Sequence, residues 1–104
     1  MASINSVMPA VARKNDQERG PRHCTQPKRQ GAFGTVFANG IPMSGYGHKN
    51  NSHLKRLGLR CIVHSFGLIT ASFTVFAEGI RIGRVGDRTR CSKVVRGSPS
   101  VFSG

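Results

Sequence analysis

The chain has 104 residues, with 16 Lys and Arg against four acids, a formal net charge of +12, 38% apolar residues and no Trp. This length allows one small domain, which burial of apolar surface stabilises only marginally. The charge excludes internal neutralisation: Asp16, Glu18, Glu78 and Asp87 are too few, so the excess positive charge is solvated or meets an external anion. Cys24, Cys61 and Cys91 are an odd, sparse set, which does not read as a disulfide framework and suits a reducing compartment. The cytoplasm is therefore the favoured location, with membrane association as the alternative. Abundant Gly raises the backbone entropy lost on folding, so the expected fold class is small and largely irregular or disordered.

Residues 1–31 read as a disordered basic segment. The stretch from Arg13 to Arg22 and that from Gln26 to Gly31 offer almost no apolar side chain to offset the entropy of ordering. The first residues place their cations after a mildly apolar stretch rather than before it, against a secretory signal. Residues 32–47 read as a Gly-rich loop with a short hairpin. The apolar burst from Ala32 to Ala38 is followed by Asn39-Gly40, a pair favoured in type I′ turns, and then by Ile41-Pro42-Met43. Pro42 cannot donate to a ladder, so its strand is expected at an edge.

Residues 48–85 form the single apolar element, with basic flanks. Leu59, Ile62, Phe66, Ile69, Phe73, Phe76 and Ile80 follow one another at spacings of 3, 4, 3, 4, 3 and 4, the stripe of one helix face. The stretch from Ile69 to Ala77 also alternates with a period of two and is rich in β-branched and aromatic residues, as a strand would be. The expected element is one amphipathic or buried helix around residues 54–77. The alternative is a β-hairpin over residues 68–85, turning at Glu78-Gly79. The uncharged run from Cys61 to Ala77 is near the lower limit for a membrane span, and basic residues on both sides give it no orientation. Residues 86–104 read as a disordered tail, and no internal repeat is read along the chain.

The four His and three Cys invite a metal reading. Cys61 and His64 have ligand-like spacing, and His23-Cys24 would supply a second pair. Neither pair sits in a Gly or Pro knuckle, and Cys61 reads as a small core residue, so no metal and no cofactor are assigned. No nucleophile elbow, paired carboxylates or phosphate loop is present. No catalytic residue is named, no small-molecule substrate is expected, and the chain is not expected to be an enzyme. The positive reading is contact with nucleic-acid phosphates through Lys28, Arg29, Lys49, Lys55, Arg56, Arg60, Arg81, Arg84, Arg88, Arg90, Lys93 and Arg96, with Tyr46 and Phe33 stacking on bases. The expected function is thus a small basic accessory protein that binds RNA or DNA non-specifically. The alternatives are a membrane-associated protein using the stripe over residues 59–80 on an anionic surface, and a reading frame without selected function.

Overall fold

Two short hairpins show how local sequence shapes this chain. In the computed structural model, β2 (Phe37–Ala38) pairs with β3 (Ile41–Pro42), and β6 (Phe76–Ala77) pairs with β7 (Ile80–Arg81). Both turns hold positive φ at their two central residues: 55° and 74° at Asn39 and Gly40, and 50° and 77° at Glu78 and Gly79. That is the type I′ signature, whose twist matches paired strands. The structure describes residues 8–20, 25–57 and 60–104, with residues 55–57 and 60–62 described through their backbone. The remaining strands are β1 (Glu18–Arg19), β4 (His53–Leu57), β5 (Arg60–His64) and β8 (Lys93–Val94); β1 pairs with β8 and β4 with β5, all antiparallel.

The expected helix around residues 54–77 is therefore overturned. No helix occurs among the described residues, and the segment is divided between β4, β5, a bridged stretch and β6. The hairpin alternative fits, with its turn at Glu78-Gly79. The heptad stripe fails for a physical reason. Ile69, Phe73, Phe76 and Ile80 are exposed, while among the described residues the buried apolar ones are Val11, Ala12, Phe33, Ala38, Met43, Leu68, Ala71, Ala77, Ile82 and Val94. The largely irregular or disordered fold class is overturned too. The radius of gyration is 13.8 Å, close to the ~13 Å of a compact 100-residue domain.

The long-range hydrogen bonds expose a repeat that the one-dimensional reading misses. Ala12 N–H donates to Gly83 O (2.9 Å), Gly83 N–H to Ser44 O (2.8 Å), and Ser44 N–H to Ala12 O (2.9 Å), closing a ring of three. One residue away the same cycle recurs as the bridges Arg13↔Met43, Gly45↔Ile82 and Arg84↔Val11. Three chain units are thus related by a pseudo-threefold axis through Ala12, Ser44 and Gly83.

Each unit enters the ring, then makes a tight turn in which a side chain caps the backbone N–H three residues earlier. The caps are Asp16 on Arg13, His48 Nδ1 on Gly45 and Asp87 on Arg84. The residue before each cap has positive φ: Asn15, Gly47 and Gly86. An insert follows, then a strand residue that pairs back on the cap (Arg29, Leu68 and Val94), then a Val-Phe hairpin arm leading into the next unit. The sequence trace of this is Thr-Val-Phe-Ala-Asn-Gly-Ile from residue 35, Thr-Val-Phe-Ala-Glu-Gly-Ile from residue 74 and Ser-Val-Phe-Ser-Gly from residue 100. The third hairpin is made by two distant segments: Phe102 bridges Ala10, Ser103 N–H donates to Pro9 O, and Val11 N–H donates to Val101 O.

Candidate functional site

The inserts of the second and third units bring together His53, His64 and Cys91, one ligand atom of each lying within 4.8 Å of the others. The β4–β5 register places His53 directly opposite His64, so both imidazoles leave one face of the hairpin. Their rings meet edge to face at 4.2 Å, and Phe66 packs on His64 at 4.8 Å. Cys91, a free thiol, brings Sγ to 3.5 Å from His53 Nε2. A tetrahedral zinc with ordinary bond lengths sets its nitrogen and sulfur ligands about 3.5 Å apart.

The tautomer of His53 also suits a metal. Its Nδ1 lies 2.9 Å from Asn51 O, and a carbonyl only accepts, so Nδ1 carries the proton and Nε2 presents a lone pair toward Cys91. The set of two imidazoles and one thiolate is borderline-soft and fits zinc. The fourth tetrahedral position is left to solvent or to a residue outside the described set.

Beneath this cluster lies a buried polar layer from equivalent positions of the three units: Glu18, Asn50 and Thr89. Glu18 Oε2 accepts from Arg29 Nε at 2.5 Å with both side chains fully buried, and Glu18 Oε1 accepts from Asn50 Nδ2 (2.9 Å) and Ser92 Oγ (2.5 Å). Arg29 occupies the place of Leu68 and Val94 in the other units. Burial lowers its pKa, and the charge and hydrogen bond of Glu18 work in the opposite sense. Arg29 Nη1 donates to His48 O (2.8 Å), while its Nη2 is buried without a partner.

The second feature is an apolar face. Phe37, Phe76 and Phe102 occupy one position of the repeat and are 53%, 56% and 51% exposed. Threefold equivalence puts them at one level around the axis. Val75, Val101 and Ile80 add exposed apolar surface on the same arms. The arms also grip one another in a cycle: Asn39 Nδ2 donates to Ser100 Oγ, Thr35 Oγ1 to Glu78 Oε2, and Ser72 Oγ to the Gly104 carbonyl. The thirty-five-to-seventy-eight contact lowers the Glu78 pKa, through the Thr35 hydroxyl first and its backbone N–H second.

The residues expected to meet nucleic acid fall in different settings. Arg29 is buried, Arg84 pairs with Asp87 at 3.2 Å, and Phe33 is a core residue whose ring meets His48 edge to face. Arg81 lies 4.7 Å over the Tyr46 ring and 5.3 Å from that of Phe73. Lys28, Lys49, Arg88, Arg90, Lys93 and Arg96 are exposed, and Lys55, Arg56 and Arg60 are backbone positions of β4 and β5. Among the described residues, no helix is long and apolar enough to cross a membrane.

Sequence spacing pointed to Cys61 with His64 and to His23 with Cys24. Cys61 lies in β5, and His23-Cys24 lie outside the described residues. The pairing that brings two ligand-type side chains together is His53 with His64, and it follows from the β4–β5 register. Comparison with protein-family models and with curated proteins finds no match.

Proposed function

We propose that this chain is a small docking domain, stapled by a metal ion, that seats its three hairpin arms on a threefold-symmetric protein partner. The observation that carries the reading is the closed ring of Ala12, Ser44 and Gly83 with three equivalently exposed Phe residues around it. A face with threefold symmetry can make the same contact three times on a homotrimer. Clustered exposed aromatics are the usual anchors of protein interfaces. A nucleic-acid duplex offers no matching axis, and the exposed cations recur in two units but not in all three: Lys28 is equivalent to Lys93 with Gly67 in the second unit, and Lys49 to Arg88 with Gln17 in the first.

The metal serves the fold rather than a reaction. Among the described residues, neither apolar cluster of the core includes a residue of the second- or third-unit insert, and a bound zinc would hold these inserts together.

The docking reading is tested by placing a photo-crosslinking phenylalanine analogue singly at Phe37, Phe76 and Phe102 and irradiating in the native host. The reading requires that all three positions capture the same protein. Adducts with RNA, DNA or a second copy of this chain, or capture from one position alone, would overturn it.

A further inference from the structure

We propose that the Thr89 hydroxyl is the positioning donor for the Cys91 thiolate, oriented for that task by the buried Glu18; this rests on the metal reading of the cluster. Thr89 is almost fully buried. Its Oγ1 accepts the backbone N–H of Cys91 (3.2 Å) and of Ser92 (3.0 Å). A hydroxyl oxygen has two lone pairs, so these two bonds fill its acceptor capacity. The contact of 3.5 Å between Thr89 Oγ1 and Cys91 Sγ therefore runs one way once the thiol has lost its proton: the hydroxyl donates to sulfur.

The other hydroxyl near the sulfur is already committed. Ser92 Oγ lies 3.8 Å from Sγ, but it is 2.5 Å from Glu18 Oε1, and a carboxylate only accepts. Glu18 is held in place by Arg29 and by Asn50. Ser92 therefore gives its hydrogen to Glu18 and has none for the sulfur. Thr89 has one hydrogen and three candidate acceptors, Ser92 Oγ at 2.8 Å, the Ser92 carbonyl at 3.4 Å and Cys91 Sγ at 3.5 Å.

Metal binding decides among them. The Sγ–H bond breaks, the proton passes to solvent, and the sulfur lone pair forms the bond to the metal ion. The sulfur then carries negative charge in a half-buried setting, and the Thr89 hydroxyl is drawn part of the way from Ser92 toward Sγ. Such outer contacts orient a ligand and typically govern affinity about 10–100-fold.

Cobalt(II) reports on the sulfur directly, through its thiolate-to-metal charge-transfer band. A hydrogen bond stabilises the sulfur lone pair and raises the energy of that band. Thr89→Val, which keeps the shape and removes the hydroxyl, is expected to move the band to longer wavelength and to weaken zinc about tenfold or more in competition with a chelator. Thr89→Ser is expected to restore both. Ser92→Ala removes the nearest competing acceptor, so its band is expected to move to shorter wavelength, opposite to Thr89→Val. A purely structural role would lower the stability of the metal-free protein without moving the band. Should Thr89→Val fail to fold, Ser92→Ala alone decides by the direction of its shift. Wild-type affinity with unmoved bands in the folded variants would overturn the role of Thr89 while leaving the metal centre intact. A wild-type chain that gives no charge-transfer band with cobalt would overturn the metal centre itself.

Discussion

Glu18→Gln removes the charge that partners a fully buried guanidinium. Both side chains of the Glu18–Arg29 pair are 0% exposed, with 2.5 Å between Arg29 Nε and Glu18 Oε2. Breaking one partner of a buried ion pair costs about 3–5 kcal/mol, because the remaining charge is left uncompensated. Small domains have only about 5–15 kcal/mol of total stability, so the single variant is expected to lie close to unfolding. The pseudo-threefold relation supplies the control. At the positions of Glu18 and Arg29, the second unit carries Asn50 and Leu68, both buried. The double variant Glu18→Asn with Arg29→Leu copies that pair into the first unit. Replacing a buried ion pair by well-packed neutral groups is often neutral or stabilising. Here His48 O loses a 2.8 Å donor, at a cost of about 1–3 kcal/mol. The double variant is therefore expected within about 3 kcal/mol of wild type and above Glu18→Gln. Urea unfolding at pH 7 measures all three, with unchanged slopes required for comparison. A Glu18→Gln protein within about 1 kcal/mol of wild type, or a double variant less stable than the single, would refute the reasoning.

Three further outcomes follow from the repeat. His48 caps Gly45 N–H through Nδ1, and its pKa is lowered by burial first, then by Arg29, with Glu78 opposing. The unfolded chain takes up this proton near pH 6.5 and the folded chain resists it, so stability is complete above about pH 6.5 and falls below it. His48→Asp, the cap used by the other two units, is expected to remove this loss between pH 7 and pH 5; urea midpoints that still fall equally with His48→Asp would contradict the assignment. Gly45 stands where the other units carry Arg13 and Arg84, and a Cβ there would meet Phe33 Cζ at 2.5 Å and Arg81 O at 2.7 Å. Gly45→Ala is expected to cost about 1–3 kcal/mol, and less in a Phe33→Ala background, because the equivalents of Phe33 are Ser72 and Ser98; a double-mutant cycle in urea with no coupling would count against it. A circular permutant that joins Gly104 through one Gly to Pro9, omits residues 1–8 and opens between Asn39 and Gly40 is expected to fold with the same amide-exchange protection. Loss of protection at Ala12, Ser44 and Gly83 would show that the third hairpin does not close the ring.

How far the fold was legible follows from the range of each interaction. Asn39-Gly40 and Glu78-Gly79 announce their turns because φ > 0 at adjacent residues is a local demand. The strand alternation from Ile69 was also local, and it fits the hairpin better than the heptad stripe does. That stripe misleads because Phe73 and Phe76 are large yet exposed, and the core is instead built from small residues such as Ala12, Ala38, Ala71 and Ala77. The repeat escapes a linear scan because its units carry inserts of unequal length and its third hairpin is split between the two ends of the described chain. Arg29 reads as a phosphate contact and Glu18 as part of a disordered segment, and only the paired strands of different units bury them together. The cluster of His53, His64 and Cys91 is hidden for the same reason: its side chains meet through a hairpin register and a contact between two inserts, which no short spacing encodes.

The central claim is that one chain presents three equivalent contacts to one threefold partner. Native mass spectrometry of the complex captured through Phe37, Phe76 or Phe102 tests it most directly. The account predicts one copy of this chain for three copies of the captured protein, whichever position carries the crosslinker. A complex of one to one, or of this chain with itself, would contradict it.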